Sequence, residues 1–113
     1  MAVQYDTFLD GEKTLVPGGD DEETIKFDTP GVDTGANASL DYRVTPNGKT
    51  TLIINLNGTE LSTVNFDSGV SRVLRENFSG SLLKNHNTLT FTVTGDSQAD
   101  MKVSDGLVLW KNS

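Results

Sequence analysis

Few side chains of this sequence are able to donate protons or attack a substrate. His86 is the only histidine, and the sequence contains no cysteine. The lack of cysteine excludes disulfides and thiolate chemistry, and one histidine cannot build a multi-histidine metal site. We predict His86 to be a turn residue whose functional alternatives are one metal ligand or a surface contact with a ligand.

Carboxylates are abundant, since 16 Asp and Glu residues stand against nine Lys and Arg. Two of them at a suitable separation would meet one requirement of glycoside hydrolysis. That chemistry also needs a deep cleft, which a thin domain of 113 residues rarely supplies. We predict that the chain is not an enzyme. The acids expected to be solvated or turn residues are Asp28, Asp33, Asp41, Glu60 and Glu76.

Two groups of acids are candidates for binding calcium. Asp20 and Asp21 open a local acidic run, and Asp28 and Asp33 flank a Pro-Gly turn. Calcium takes about six to eight oxygens, usually from loop carboxylates and carbonyls. These four residues are therefore the candidate ligands, and an acidic solvated loop is the alternative interpretation.

Aromatic residues matter because a flat ring can stack on the apolar face of a sugar. Four that alternate with polar residues and are expected in the core are Phe27, Tyr42, Phe66 and Phe91. Tyr5 and Phe8 remain as candidates for exposure. Trp110 ends a strand with two apolar faces, which favours a core or interface position over a binding platform. Together with His86, these three are the candidate ligand-binding residues.

Period-two hydrophobicity indicates the elements that position these residues. Such alternation puts one set of side chains on a buried face and the other in water. It predicts eight short strands, at residues 3–9, 23–28, 37–45, 50–57, 60–66, 70–76, 88–94 and 101–110. Eight strands without a helical period favour an all-β fold, a two-layer antiparallel sandwich of the jelly-roll kind.

Turn signals separate the predicted strands. Pro46-Asn47-Gly48 and Asn57-Gly58 each contain an Asn-Gly step, which supplies the positive φ angles of a tight hairpin. We predict a hairpin at both, with the stronger signal at 46–48. Residues 79–87 hold the one candidate helical turn, in a long crossover.

Length and charge restrict the partners. A chain of 113 residues suits one domain over residues 1–113 with a thin core. A net charge of −7 opposes binding to nucleic acid, and no apolar run is long enough to insert into a membrane. The first residues lack a basic stretch followed by an apolar run, so we predict no signal peptide and leave the localisation open.

A combination of motifs occupies the C-terminal half. It consists of residues 52–61 (LIINLNGTEL), 78–93 (FSGSLLKNHNTLTFTV) and 103–110 (VSDGLVLW). The combination resembles the galactose-binding-like jelly rolls found in carbohydrate-binding modules and as accessory domains of glycoside hydrolases and polysaccharide lyases. His86 stands where that family usually has glycine. The resemblance implies a jelly-roll fold and a structural calcium, but it assigns no sugar-contacting residue.

That resemblance favours a non-catalytic recognition module with carbohydrate as its partner. The alternative is a structural or assembly subunit, such as a decoration, fibre or tail-associated protein of a virus or injection particle. The alternative rests on residues 1–20, where a predicted strand and a turn-rich stretch could form an arm that pairs with a neighbouring subunit. A homo-oligomer with protein partners would then be expected.

Overall fold

The computed structural model describes residues 2–67, 69–96 and 98–113. Its strands are β1 Ala2–Leu15, β2 Glu22–Asp28, β3 Asn37–Pro46, β4 Thr50–Leu56, β5 Thr59–Phe66, β6 Arg72–Ser79, β7 His86–Gly95 and β8 Met101–Asn112. Each of the eight predicted strands overlaps one of them, and a 3₁₀ turn, Gly80–Leu82, lies in the predicted crossover. Met1 of the predicted arm lies outside the described residues. Within those residues no helix has the length and apolar character needed to cross a membrane.

The strands form two four-stranded antiparallel sheets that pack face to face. Sheet A has the order β1-β8-β3-β6, and sheet B has the order β2-β7-β4-β5. The chain therefore pairs its first strand with its last, its second with its seventh, and so on inward to β4 and β5. A long antiparallel ribbon rolled up in this way is a jelly roll, so the predicted fold class is confirmed.

Alternating side chains of the central strands fill the space between the sheets. Leu52, Ile54 and Leu56 of β4 are fully buried, as are Leu40 and Val44 of β3. Burying one such side chain contributes about 1.5–3 kcal/mol relative to leaving it exposed. The predicted alternation is therefore present, and it supplies the apolar area that holds the two sheets together.

The predicted hairpin at Asn57-Gly58 is confirmed. The two residues have positive φ angles of 52° and 87°, and Leu56 lies opposite Thr59 in the β4–β5 pair. Positive φ at both central residues matches the right-handed twist of the flanking strands. This is the one place where consecutive strands of the chain are neighbours in a sheet.

The predicted hairpin at Pro46-Asn47-Gly48 is wrong, because β3 and β4 lie in different sheets. Gly48 has a positive φ of 98°, but Asn47 is not among the residues with positive φ. The Asn47 N–H donates instead to the Asp100 carbonyl at 2.8 Å, in the connection from β7 to β8. The Asn-Gly step therefore lies in the connection that takes the chain from sheet A to sheet B.

A bulge at Asp105-Gly106 divides β8. Val103 before it and Val108 after it are both buried, although five positions separate them. One extra residue shifts the side-chain period and lets both halves of the strand face the core. Gly106 also lies against the Phe8 ring, which a Cβ atom at this position would overlap.

β1 is longer than the predicted strand, since it continues to Leu15. It pairs with β8 of the same chain, with register shifts on either side of Leu9 and a positive φ of 87° at Gly11. It is also an edge of sheet A. Residues 2–15 of the predicted arm are therefore engaged within their own chain.

Candidate functional site

The outer face of sheet A carries a group of small polar side chains on β3 and β6. Asn37 lies opposite Ser79, and Ser39 lies opposite Asn77, so two Asn-x-Ser segments run antiparallel beside each other. Ser79 is engaged with Ser81, their hydroxyls being 2.9 Å apart. The other three residues form what we call the Asn/Ser plaque. Its two amides are diagonal neighbours, about 7–8 Å apart, and each offers both a donor and an acceptor.

A shallow groove opens beside the plaque where β8 separates from β3. The β3–β8 pairing starts at Ser39 and Leu109. Beyond that point the Asp33 N–H donates to the Lys111 carbonyl at 2.7 Å, so the end of β8 follows the β2–β3 loop instead. The groove has a volume of about 170 Å³ and is lined by Val3, Asn37, Ala38, Ser39, Asn77, Leu109, Trp110 and Lys111.

Tyr5 stands next to this groove. It lies on β1 directly opposite Leu109, one of the lining residues. Its side chain is 73% exposed, and it is the one aromatic among the strongly exposed large hydrophobic residues of the described chain. The outer face of sheet A thus carries both an exposed ring and carboxamides. The ring offers a surface for the C–H face of a sugar, and the amides offer partners for hydroxyls.

Trp110 lines the groove from the core side. It is only 6% exposed, so its ring is not a platform. Its Nε1 atom is buried and has no hydrogen-bond acceptor among residues 2–67, 69–96 and 98–113. Buried indole N–H groups are usually paired, so this unpaired donor is exceptional.

Phe8 lies in the core, and the expectation that it is exposed is wrong. Its side chain is 7% exposed, and its ring centroid lies 6.1 Å from those of Phe27 and Phe91 in sheet B. Phe8 lies three positions after the exposed Tyr5, so strand alternation places it on the opposite face, which packs on sheet B. Phe8 therefore joins the two layers instead of facing a ligand.

His86 and Asp28 form an exposed hydrogen-bonded pair in sheet B. They lie opposite each other on β7 and β2, with Nδ1 2.8 Å from Oδ1. Their side chains are 87% and 65% exposed. The pair belongs to a different sheet from Tyr5 and Trp110, so the structure does not bring the four predicted ligand-binding residues together.

Lys13 contacts two carboxylates of the acidic run that follows β1. Lys13 Nζ lies 3.3 Å from Asp20 Oδ2 and 3.4 Å from Glu23 Oε2. The hydrogen bond and charge of Asp20, with a smaller contribution from Glu23, raise the pKa of Lys13. The ammonium group thus occupies the position near these carboxylates where a cation would be expected.

The remaining calcium candidates lie elsewhere. Asp28 and Asp33 follow β2, at the opposite end of that strand from Asp20 and Asp21. Asp33 Oδ1 accepts the N–H of Gly35 at 2.9 Å. No group of three or more His, Asp or Glu side chains in the described part of the chain is placed to hold a metal. These residues do not fit an ion that requires about six to eight oxygens.

Most groove residues were not among the predicted site residues. Asn37 begins a predicted strand, Asn77 and Lys111 lie one residue beyond the ends of two others, and alternation places all three on the surface. It does not say which outward residues are neighbours, because that depends on the strand order. The repeated Asn-x-Ser segment at 37–39 and 77–79 was the available signal, and it gains meaning only once β3 and β6 are paired.

Comparison with known proteins relates the chain to others through its fold. No family model matches the chain, and no curated protein matches it significantly. Among solved structures, dimeric latent PorU from Porphyromonas gingivalis matches 96% of the chain with a TM-score of 0.74 and 11% identity. The chain spans only 12% of that protein.

Two carbohydrate-binding modules match over their full length. The CBM36-1 domain of a multidomain xylanase from the hindgut metagenome of Trinervitermes trinervoides has a TM-score of 0.61 and 12% identity, with 99% of both chains covered. A CBM36 module in complex with calcium and xylotriose has a TM-score of 0.56 and 10% identity, with 98% of this chain and 100% of the module covered. The predicted resemblance to such modules is therefore confirmed as a likeness of fold.

A viral particle protein has the same architecture. The T13 IBDV viral particle matches 98% of the chain with a TM-score of 0.62 and 11% identity, and the chain covers 31% of that protein. At these identities all of the matches describe the fold and leave function to the site.

Proposed function

We propose that the chain is a non-catalytic module that binds carbohydrate in the groove of sheet A. The observation that carries this proposal is the exposed Tyr5 ring, which shares the outer face of sheet A with the Asn/Ser plaque and is separated from it by Leu109 of β8. The likeness of fold to carbohydrate-binding modules, one of them in complex with xylotriose, supports it.

The geometry of the groove indicates how a sugar would lie. One sugar unit would stack its apolar C–H face on Tyr5, and the hydroxyls of a neighbouring unit in the groove would meet the amides of Asn37 and Asn77. At about 170 Å³ the groove is smaller than the roughly 300 Å³ of a pocket that encloses a drug-sized ligand. It therefore suits one sugar unit of a longer chain, and weak monovalent binding is expected.

The absence of catalysis is part of the proposal. Glycoside hydrolysis uses two carboxylates about 5–9.5 Å apart at the bond that breaks. Among the described residues, none of those lining the groove is an acid or a histidine. Prolonged incubation with oligosaccharides should release no shorter products, and their appearance would contradict this part of the proposal.

A glycan array followed by titration calorimetry tests the binding. We expect Tyr5→Ala and Asn77→Ala each to weaken binding about fivefold to tenfold, while Tyr5→Phe, which keeps the ring, retains it. Asn65→Ala makes the same change as Asn77→Ala on the outer face of sheet B and should leave the affinity unchanged. Silence across a broad panel of xylo-, cello- and galacto-oligosaccharides and acidic glycans would overturn the proposal.

A second candidate function, the assembly of copies of this chain, is favoured by the edge of sheet B. The other three edge strands carry features that discourage pairing. β1 has bulges, four of the seven residues of β2 are charged, and β6 points Glu76 inward, where it accepts a hydrogen bond from Tyr42 at 3.0 Å. In β5 the one register shift lies at Leu61, next to Glu60, its one charged residue, and residues 62–66 are regular and uncharged.

A twofold axis would let this edge pair with the β5 strand of a second copy. Antiparallel pairing centred on Val64 places Thr63 opposite Asn65 and brings no like charges together. The viral particle protein of the same fold supports assembly as a use for such a domain. Light scattering over a range of concentrations should reveal dimers that Thr63→Lys dissociates. A monomer at every concentration would reject this alternative.

A further inference from the structure

Lys111 has an unusual position among the cations of the chain. Lys13, Arg43, Arg75 and Lys102 each lie within 4.0 Å of a carboxylate oxygen. The cations without such a partner among the described residues are Lys111, which is half-buried, and four that are exposed, Lys26, Lys49, Arg72 and Lys84. Lys111 is the one of these five that lines the groove, so the groove holds a positive charge that no carboxylate of the described residues pairs with.

The surroundings of Lys111 in the groove are neutral. The other lining residues are apolar or carry amide and hydroxyl groups. Although the chain has a net charge of −7, exposed charges farther away than about 8 Å are largely screened at physiological ionic strength. A ligand in the groove would therefore experience chiefly the local ammonium group.

Asp33 is the acidic residue that contacts Lys111 through the backbone. Its backbone N–H donates to the Lys111 carbonyl, while its carboxylate accepts the Gly35 N–H at 2.9 Å. Asp33 and Lys111 do not form an ion pair within 4.0 Å, and Asp33 does not line the groove. The Asp33 carboxylate would repel an anionic ligand bound near Lys111. Removing that charge by substitution therefore tests whether electrostatics governs binding.

We infer that the groove selects acidic carbohydrate, with Lys111 binding a carboxylate or sulfate oxygen of the sugar. The inference rests on the proposed function and names its ligand class. Lys111 supplies a point charge for the anionic group, while Asn37 and Asn77 supply hydrogen bonds for neighbouring hydroxyls. The amides are shared by neutral and acidic sugars, so the lysine decides between them.

Matched glycan pairs test this selection. The probes are oligogalacturonate with its methyl ester and a sulfated galactan oligosaccharide with its desulfated form, each titrated into the intact chain. At least one acidic member should bind about tenfold more tightly than its neutral partner, as expected for a hydrogen bond to a charged group. Comparing the two pairs distinguishes a uronate from a sulfate ester.

Substitutions assign the preference to Lys111. Lys111→Gln should remove the acidic preference and leave the affinity for the neutral partner within about twofold, since that difference corresponds to less than a typical neutral hydrogen bond. Lys26→Gln, the same change on an exposed strand of sheet B, should preserve it. Asp33→Asn should strengthen binding of the acidic member.

The outcomes separate the two proposals. Equal binding of acidic and neutral partners, or an acidic preference that survives Lys111→Gln, overturns the inference while carbohydrate binding stands. Binding to none of the glycans overturns the proposed function and the inference with it. Folding of each variant is checked by its melting curve, so that loss of binding is not confused with loss of structure.

Discussion

Asn57 Nδ2 donates a hydrogen bond to Asn87 Oδ1 at 2.9 Å, joining the β4–β5 hairpin to the start of β7. Asn57 also donates to the Leu82 carbonyl at 2.8 Å and accepts the Thr88 N–H at 2.9 Å. Asn87 accepts the Lys84 N–H at 2.8 Å. Two amides thereby satisfy the backbone groups of a chain segment that lies between strands of different sheets.

Replacing Asn87 with alanine should destabilise the fold by about 2–3 kcal/mol. Asn87 is 2% exposed, and removal of its side chain leaves the Lys84 N–H without its acceptor and takes one hydrogen bond each from Asn57 and Thr29. Urea denaturation measures the change. Asn85→Ala is the control, since its exposed side chain accepts one bond of 3.3 Å from Gly31. Equal losses in the two variants would contradict the assigned role.

Gly106→Ala should destabilise the fold by roughly 1–3 kcal/mol or more, because the added Cβ overlaps the Phe8 ring. Thermal denaturation of Gly106→Ala and Gly19→Ala compares this site with one where a Cβ makes ordinary contacts with Val16 at 3.7 Å or beyond. If the overlap is the cause, Phe8→Leu combined with Gly106→Ala should lose less stability than the sum of the two single changes.

The stability contributed by Arg75 should depend on pH. Its Nε and Nη2 donate to Asp41 at 2.6 and 2.7 Å, and this hydrogen bonding holds the pKa of Asp41 below its usual range. A lowered folded pKa stabilises the protein above the unfolded value of about 3.9 and loses that effect as pH falls through the folded pKa.

We therefore expect Arg75→Gln to lower the free energy of unfolding at pH 7, and to lower it progressively less below about pH 4. Urea titrations of both proteins across this range provide the measurement. Arg72→Gln, at an exposed position without an ion-pair partner among the described residues, should show no comparable pH dependence. A loss that stays constant down to full protonation of Asp41 would argue against the ion pair as its source.

Chelation should leave the protein unchanged. Because Lys13 already lies against Asp20 and Glu23, neither EDTA nor added calcium is expected to move the melting temperature or the glycan affinity. A calcium-dependent rise in melting temperature would contradict this expectation. Asp20→Asn and Asp28→Asn, tested separately, would then locate the ion at one end of β2 or the other.

Local sequence patterns predicted the strands well, because strand formation depends on short-range alternation. The residues that alternate, such as Leu52, Ile54 and Leu56, are the ones that the core buries. Where a bulge interrupts the period, as at Asp105-Gly106 and between Thr7 and Leu9, the facing of later residues could not be read from alternation. Phe8 was assigned wrongly although alternation from the exposed Tyr5 places it on the inward face.

The candidate groove depended on information of a different kind. Asn37 and Asn77 are 40 positions apart, and nothing local to either indicates that β3 pairs with β6. The Asn-Gly step at 47–48 pointed to a neighbouring β4 instead, since the same dipeptide serves both a hairpin and a crossing between sheets. Strand order is set by how all eight apolar faces are buried at once.

The sequence by itself determined an all-β sandwich with eight strands, a true hairpin at Asn57-Gly58 and a chain with one histidine and no thiol. Those properties follow from composition and short-range periodicity. Only the tertiary structure decided that Tyr5 stands beside Leu109, that two Asn-x-Ser segments lie side by side, and that Lys111 lines the groove next to them. The physical reason is that a binding site joins outward residues of several strands, and their proximity is fixed by long-range pairing.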